Sequence, residues 1–282
     1  MEKREIGEVW KQAGATHLSA SQLLSTPASW IFKYRYLTAE QRSALGVGER
    51  AAVGTAVHGG VQTIVCNGED IDTATTAAEL LFDFHDADED AVLRERLHDA
   101  IPAMIRNGVD CCIENGFVGA IAEERIECWL DDVEVPIIGF VDLLVEGSMF
   151  CEMKTKAPRK TKLLKDGTQG WAKATLPKKP EFNHICQAAI YQHALGVSPS
   201  IMYIAEHDAV LFNAYNCEEL QADGIAHALN EMRQKALIRQ NLLKVSTDPK
   251  VLASITDPDW SHMYQWKIKD EFLQQARALW KI

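Results

Sequence analysis

The sequence has no C-x-x-C pair, no long Gly/Ser-rich or Pro-rich linker, and no run of apolar residues long enough to cross a bilayer. A spanning helix needs about 20 such residues, and the longest run here, Val135 to Val145, is short and broken by Asp142. The opening MEKREIGEVW is charged and lacks the apolar h-region of a leader. The expectation is a soluble, cytosolic chain with no membrane partner. Seven cysteines, Cys66, Cys111, Cys112, Cys128, Cys151, Cys186 and Cys217, are scattered and odd in number, which reads as reduced, buried small hydrophobes rather than a disulfide framework. No repeat at a solenoid period is visible. With 282 residues, 47% hydrophobic and 24% charged, one domain spanning 1–282 is expected. It divides into an N-terminal helical and aromatic segment (1–45), a core (46–215) and a C-terminal helical part (216–282).

Positive charge is scarce overall, with a net charge of −11, which argues against nonspecific coating of nucleic acid. The average hides one exception. Residues 153–180 hold Lys154, Lys156, Arg159, Lys160, Lys162, Lys165, Lys173, Lys178 and Lys179 against the single acid Asp166, a net of +8 that leaves −19 for the rest. A basic patch on an otherwise acidic chain is the footprint of a polyanion engaged at one place. A solvated Lys-rich loop is the plainer reading of the segment taken alone.

Ser19-Ala-Ser-Gln22 reads as a capping box before a short helix limited by Pro27, followed by the aromatic and basic stretch WIFKYRYL. Residues 48–66 carry Val53, Val57, Val61 and Val65 four apart, a helical period. Helices are expected to continue over 74–86 and 89–115, with Pro102 as a break. The period then changes to two. Ile126, Cys128 and Leu130 mark a first strand, Val135 to Val145 a second and Met149 to Thr155 a third, with turns at Asp131-Asp132 and Glu146-Gly147-Ser148. After a basic loop come a helix from Phe182 to Leu195, strands at Ser200–Glu206 and Ala209–Tyr215, a long helix from Cys217 to Val245 and a last amphipathic helix from Lys269. This order gives an α/β layering whose sheet starts antiparallel.

The chemistry lies in IIGFVDLLVEGSMFCEMKTK, residues 137–156, a buried-type hairpin that carries Asp142, Glu152 and Lys154. Glu152 and Lys154 are two apart and share a strand face, while Asp142 lies across a tight turn and within reach. Two carboxylates drawn together in apolar surroundings repel each other and are driven toward protonation unless a cation sits between them. A hard divalent ion, Mg²⁺ (or Mn²⁺), resolves that conflict, and Lys154 beside it would stabilise charge developing on a phosphorane.

The pattern Gly139-x-x-Asp142, nine residues, Glu152-x-Lys154 resembles the PD-(D/E)XK nuclease superfamily. His58 in GTAVHGG resembles the helix-borne histidine of its RecB-like branch, and Gln187-Ala-Ala-Ile-Tyr191 resembles that branch's Q-x-x-x-Y motif, in the same order. The resemblance covers about residues 45–215, and SASQLLSTPASWIFKYRYL is similar in rhythm to the branch's opening. It implies a restriction-endonuclease-like core, a central mixed sheet that starts with an antiparallel meander and is flanked by helices, with N- and C-terminal helical additions. It also implies a Mg²⁺- or Mn²⁺-dependent DNA exonuclease. In that case Asp142, Glu152 and Lys154 are catalytic. His58, Asp142, Glu152 and the backbone carbonyl of Met153 hold the metal, and Gln187, Tyr191 and Glu124 orient the site or the DNA. Glu123 and Glu127 compete with Glu124 for that place. Lys156, Arg159 and Lys160 would contact the DNA backbone, and the partner would be DNA presenting a single-stranded end or strand.

Many relatives hold an iron–sulfur cluster on one cysteine near the opening motif and three near the C-terminus. The opening here reads STPAS and no cysteine follows Cys217, so no such cluster is expected. The cluster-free kin are phage-type and mitochondrial genome maintenance exonucleases. That kinship implies DNA recombination, repair or phage DNA metabolism in a bacterial or phage-infected cell. A structure-specific endonuclease of the same fold and a catalytically silent DNA-binding scaffold are the competing readings. Taken alone, His58 reads as a core histidine, and Gln187 and Tyr191 as core residues of an amphipathic helix.

Overall fold

The computed structural model describes residues 4–46, 48–84, 90–258, 260 and 269–281. Short helical segments come first: α1 (Glu8–Gln12), α2 (Ala20–Leu24), α3 (Pro27–Trp30), a π-helical segment (Ile31–Tyr36) and α4 (Ala39–Ala44). Longer helices follow, α5 (Glu49–Asn67), α6 (Ile71–Asp83) and α7 (Ala91–Glu114), then β1 (Ile121–Cys128), β2 (Ile137–Val145) and β3 (Met149–Lys156). The chain continues through β4 (Arg159–Leu163), β5 (Gln169–Ala172), α8 (Phe182–Leu195), β6 (Ser198–Ala205) and β7 (Asp208–Asn213). It ends with α9 (Ala222–Val245), α10 (Pro249–Ser254) and α11 (Asp270–Trp280). The helix end expected at 86 and the helix start expected at 89 fall outside the described residues. No helix among them is long and apolar enough to cross a membrane.

The architecture is α/β. A mixed sheet of order β1-β2-β3-β6-β7 lies among helices, and a separate two-stranded sheet is formed by β4 and β5. β2 runs antiparallel to β3, β3 parallel to β6, and β6 antiparallel to β7. The return from β3 to β6 passes through the β4–β5 hairpin and α8, the helical crossover that a parallel pair requires.

Several details differ from the sequence reading: β1 starts at Ile121 and ends before Leu130, and α9 starts at Ala222 instead of Cys217. α7 runs unbroken through Pro102. Ala100, Ile101, Met104 and Ile105 around it are fully buried, and the roughly 1.5–3 kcal/mol gained per large buried aliphatic side chain outweighs the roughly 3 kcal/mol an interior proline costs. The second strand starts at Ile137 instead of Val135, because Pro136 has no N–H to give to a ladder. The basic loop contains the β4–β5 hairpin. All of β4 is exposed, so no inside–outside alternation exposes it to a periodicity search.

The chain packs as two compact units. One comprises Met1–Gly46, Ile126–Gly139 and Ala226–Ile282. In it Ser19 caps α2 by accepting from the Gln22 N–H, and Leu18 bridges to Ile137. The buried Arg239 donates to the carbonyls of Gln22, Leu23 and Ser25 and lies 5.8 Å from the Trp30 ring. Gln240 accepts from Trp10 Nε1 at 3.1 Å and from the Glu134 N–H at 2.8 Å.

The other unit comprises Val47–Arg125 and Phe140–Ile225. Val53, Val57 and Val61 of α5 meet Leu97, Ile101 and Met104 of α7, and the core continues to Leu143, Cys151 and Met153 of the sheet. Gly54 is needed where α5 approaches β3, since a Cβ there would come within 3.0 Å of Thr155 Oγ1. No disulfide joins the cysteines among the described residues and, apart from the half-buried Cys66, they are buried. Burial pushes the thiols of Cys111, Cys112 and Cys128 up, to about 11, 12 and 12, which keeps them unreactive.

Candidate active site

β2 and β3 pair with Leu143 opposite Cys151 and Leu144 opposite Phe150. Asp142 and Glu152 are the next residues along each strand. Alternation sends Cys151 and Met153 into the core shared with α5 and α7, and Glu152 and Lys154 to the other face. On that face Lys154 Nζ donates to Glu152 Oε2 and to Gln187 Oε1 of α8, both at 3.0 Å. Gln187 Nε2 donates in turn to Tyr191 Oη at 3.0 Å. The ammonium, which can only donate, fixes which end of the amide faces it. The four-residue spacing read from the sequence is what stacks Gln187 over Tyr191 on one helix face.

Asp142, across the ladder from Glu152, also reaches α5. Its Oδ1 is 3.5 Å from His58 Nδ1 on α5, and its Oδ2 accepts from the Met153 N–H at 2.6 Å. One turn beyond His58, the buried Gln62 donates through Nε2 to the Asp142 carbonyl and to Glu123 Oε1, both at 2.9 Å. Glu123 holds a left-handed backbone conformation, φ 52°, which is uncommon for a residue with a Cβ. The structure therefore joins Glu123 to the constellation. Glu124, the residue chosen from the sequence, makes no hydrogen bond or ion pair among the described residues. A buried glutamine one turn past the histidine is the signal that picks out Glu123.

The electrostatics are polarised. Glu152 is 1% exposed. Burial, reinforced by Asp142, pushes its carboxyl up to about 8 against the pull of Lys154. Burial also works to raise Asp142, but His58, Lys154 and the Met153 N–H outweigh it and hold that carboxyl below the usual value. Burial works to lower Lys154, but Glu152 and Asp142 outweigh it and its pKa lies above the usual lysine value. A proton is held tightly across the Glu152–Lys154 pair, and Asp142 stays ionised.

A cavity of about 360 Å³ opens beside this cluster, lined by Arg50, His58, Lys154, Lys156, Glu181 and His184 among others. His184 Nδ1 is 2.7 Å from Tyr203 Oη. Burial, with Lys154 and Lys156 nearby, lowers the His184 imidazole to about 4, so it is neutral at pH 7. Arg50 and Glu181 are absent from the sequence-based set because nothing near them in the chain carries chemistry.

The structure changes the meaning of the basic segment. Lys154 is paired with Glu152, Lys156 with Glu181, Lys160 with Asp90 and Lys179 with Glu219. Arg159, Lys162, Lys165, Lys173 and Lys178 are exposed and make no ion pair among the described residues.

Two buried atoms of the cluster have no hydrogen-bond partner, His58 Nε2 and Glu152 Oε1. An unsatisfied buried acceptor costs roughly 1–3 kcal/mol, and both are donors suited to a divalent cation. Among the described residues no three His, Cys, Asp or Glu side chains are gathered tightly enough to hold a metal as they stand. The donor chemistry fits a hard ion, and Glu152 Oε2 is engaged by Lys154 instead.

The sequence matches no model of a known protein family, and no curated protein is significantly similar to it.

Proposed function

We propose that this chain is a RecB-like member of the PD-(D/E)XK nucleases without an iron–sulfur cluster, and that it is a Mg²⁺- or Mn²⁺-dependent DNA exonuclease hydrolysing phosphodiester bonds. One observation carries the reading. Lys154 bridges Glu152 and Gln187 beside Asp142 and His58, while Glu152 Oε1 and His58 Nε2 are buried with nothing to bind.

His58, Asp142, Glu152 and the Met153 carbonyl would hold the ion. The chemistry a bound ion supplies is polarisation of the scissile phosphate and a lowered pKa for the attacking water. The protein's own residues supply the rest. Lys154, charged and half-buried, stabilises the negative charge that builds on the phosphoryl oxygens. Gln187, oriented by Tyr191, holds that ammonium in place, and its carbonyl keeps one N–H of Lys154 occupied. Gln62 fixes the backbone of Asp142, so the carboxylate keeps its direction. Arg50, which lines the cavity, supplies positive charge for the flanking phosphates. The unpaired cations from Arg159 to Lys178 extend that contact along the backbone.

The test is digestion of 5′- and 3′-end-labelled single-stranded and duplex DNA with Mg²⁺ or Mn²⁺. Wild type should release nucleotides from an end, leave circular single-stranded DNA intact, and lose activity on Lys154→Ala or Asp142→Ala. Equal residual activity in wild type and Lys154→Ala overturns the assignment. Cleavage of the circle replaces the exonuclease by an endonuclease, and salt-dependent binding without cleavage in either metal leaves a DNA-binding scaffold.

A further inference from the structure

Two leucines stand in the open at the turn of the β4–β5 hairpin. Leu163 is 66% exposed and Leu164 55%, whereas the other residues from Arg159 to Thr168 are polar or charged apart from Gly167, and all are exposed. A single exposed leucine is ordinary. Two in succession at the far end of a ribbon made of lysine, arginine and threonine are not.

The tip is built, not loose. The Leu164 N–H donates to the Thr168 carbonyl at 2.8 Å, and the Gly167 N–H to the Leu164 carbonyl at 3.0 Å. Asp166 Oδ1 accepts from Thr168 N and Oγ1 at 3.0 and 2.7 Å. Gln169 Nε2 crosses the ribbon to the Thr161 carbonyl at 2.8 Å. Gly170 lies under the tip. A Cβ there would meet Thr161 Oγ1 at 2.4 Å and the Lys162 carbonyl at 2.6 Å, so the bare backbone is what lets the two strands of the ribbon lie this close. The base is tied down as well, with Lys160 paired to Asp90 and standing 5.9 Å from the Trp171 ring opposite it in register. A held base and a hydrogen-bonded turn make a stiff projection.

The charges around the tip identify what it meets. Arg159, Lys162, Lys165 and Lys173 are exposed and unpaired among the described residues, and the only acid in the turn, Asp166, is occupied by Thr168. An apolar edge with flanking cations is complementary to a stacked base pair with flanking phosphates, the pairing used by proteins that insert leucine or isoleucine wedges at base steps. The hairpin begins three residues after β3 ends at Lys156, so the ribbon is rooted on the strand that carries Lys154.

We propose that the β4–β5 hairpin is a wedge for the end of a nucleic-acid duplex: Leu163 and Leu164 pack on the terminal base pair and unstack it, while Arg159, Lys162 and Lys165 hold the phosphates on either side. This rests on the DNA reading of the site and adds to it that the natural substrate has a duplex end which the protein itself opens.

The experiment uses the full chain in EDTA, so that opening is read without cleavage. A blunt DNA duplex carries 2-aminopurine in its terminal pair, and unstacking raises its fluorescence. Wild type should raise it at saturating protein. Leu163→Ser/Leu164→Ser should bind single-stranded DNA with unchanged affinity and melt at an unchanged temperature, but leave the duplex-end signal at its free level. Lys162→Ala/Lys165→Ala should bind more weakly and lower the slope of log K against log salt by about 1 per lysine removed. The proposal is overturned if wild type binds duplex ends without a fluorescence rise, if the leucine variant opens them as well as wild type, or if it loses single-strand affinity equally. Binding to anionic phosphatidylglycerol vesicles that the leucine variant abolishes, or a dimer that it dissociates, assigns the tip to lipid or to a second copy and also overturns it. Opening without cleavage in Mn²⁺ sinks the nuclease reading alone, and cleavage of single strands without opening sinks the wedge alone.

Discussion

Lys154 Nζ lies 3.0 Å from Gln187 Oε1, a contact between a strand and a helix 33 residues further on. It supplies the neutral acceptor that shares the lysine with Glu152. Replacing Gln187 by Leu should lower kcat about 10- to 100-fold, the range found for residues that orient a reacting group, with a smaller change in KM. Tyr191→Phe, which leaves Gln187 but removes its acceptor, should have a milder effect in the same direction. Single-turnover digestion of end-labelled DNA measures both.

Binding of a divalent ion at Glu152 and Asp142 should stabilise the fold by mass action. At 100 times Kd the gain is about 2.7 kcal/mol. Thermal melts with and without Mn²⁺ should show a rise in Tm for wild type and little or none for Glu152→Gln or Asp142→Asn. A rise of equal size in all three proteins would mean the ion binds elsewhere.

Gln62 ties α5 to two partners, the Glu123 carboxylate and the Asp142 carbonyl. Gln62→Leu keeps most of the volume and strands the Asp142 carbonyl, whereas the exposed Glu123 carboxylate turns to water, and should cost about 1–3 kcal/mol. Urea unfolding would read this as a lower midpoint at unchanged slope.

The burial of His184 gives a pH signature. Its folded-state pKa is depressed to about 4, below the usual 6.5 of the unfolded chain. Between these values the unfolded chain binds the extra proton, so this group's contribution is intact above about pH 6.5 and is lost as pH falls toward 4. Wild type should therefore lose more stability than His184→Gln over that window, with Tm measured from pH 7.5 to 4.5. Parallel pH curves would contradict the buried neutral imidazole.

Arg239 caps the end of α2 by donating to the carbonyls of Gln22, Leu23 and Ser25. Arg239→Ala leaves those acceptors unsatisfied inside the first unit and opens a void, and a loss of about 3 kcal/mol or more is expected. Differential scanning calorimetry measures it.

Much of the site was written in local spacing. Glu152 and Lys154 share a face because strands repeat every two residues, and Gln187 meets Tyr191 because helices bring i and i+4 together. What failed to show in the sequence failed for definite reasons. The β4–β5 hairpin buries no face, so it leaves no period. Glu123 and Glu124 are equivalent until a backbone twist and the amide of Gln62 choose between them.

By itself the sequence determined the order of the long helices and the strands of the main sheet, the apolar stripe of α5, and the anomaly of acids within a hydrophobic ribbon, because each is a matter of nearest neighbours and periodicity. Only the tertiary structure decided that His58 meets Asp142, that Lys154 is shared by Glu152 and Gln187, and that four of the basic segment's lysines are neutralised by Glu152, Asp90, Glu181 and Glu219. Charge pairs and shifted proton affinities depend on distance and burial, and residues far apart in the chain acquire both only when the sheet and its helices close around them.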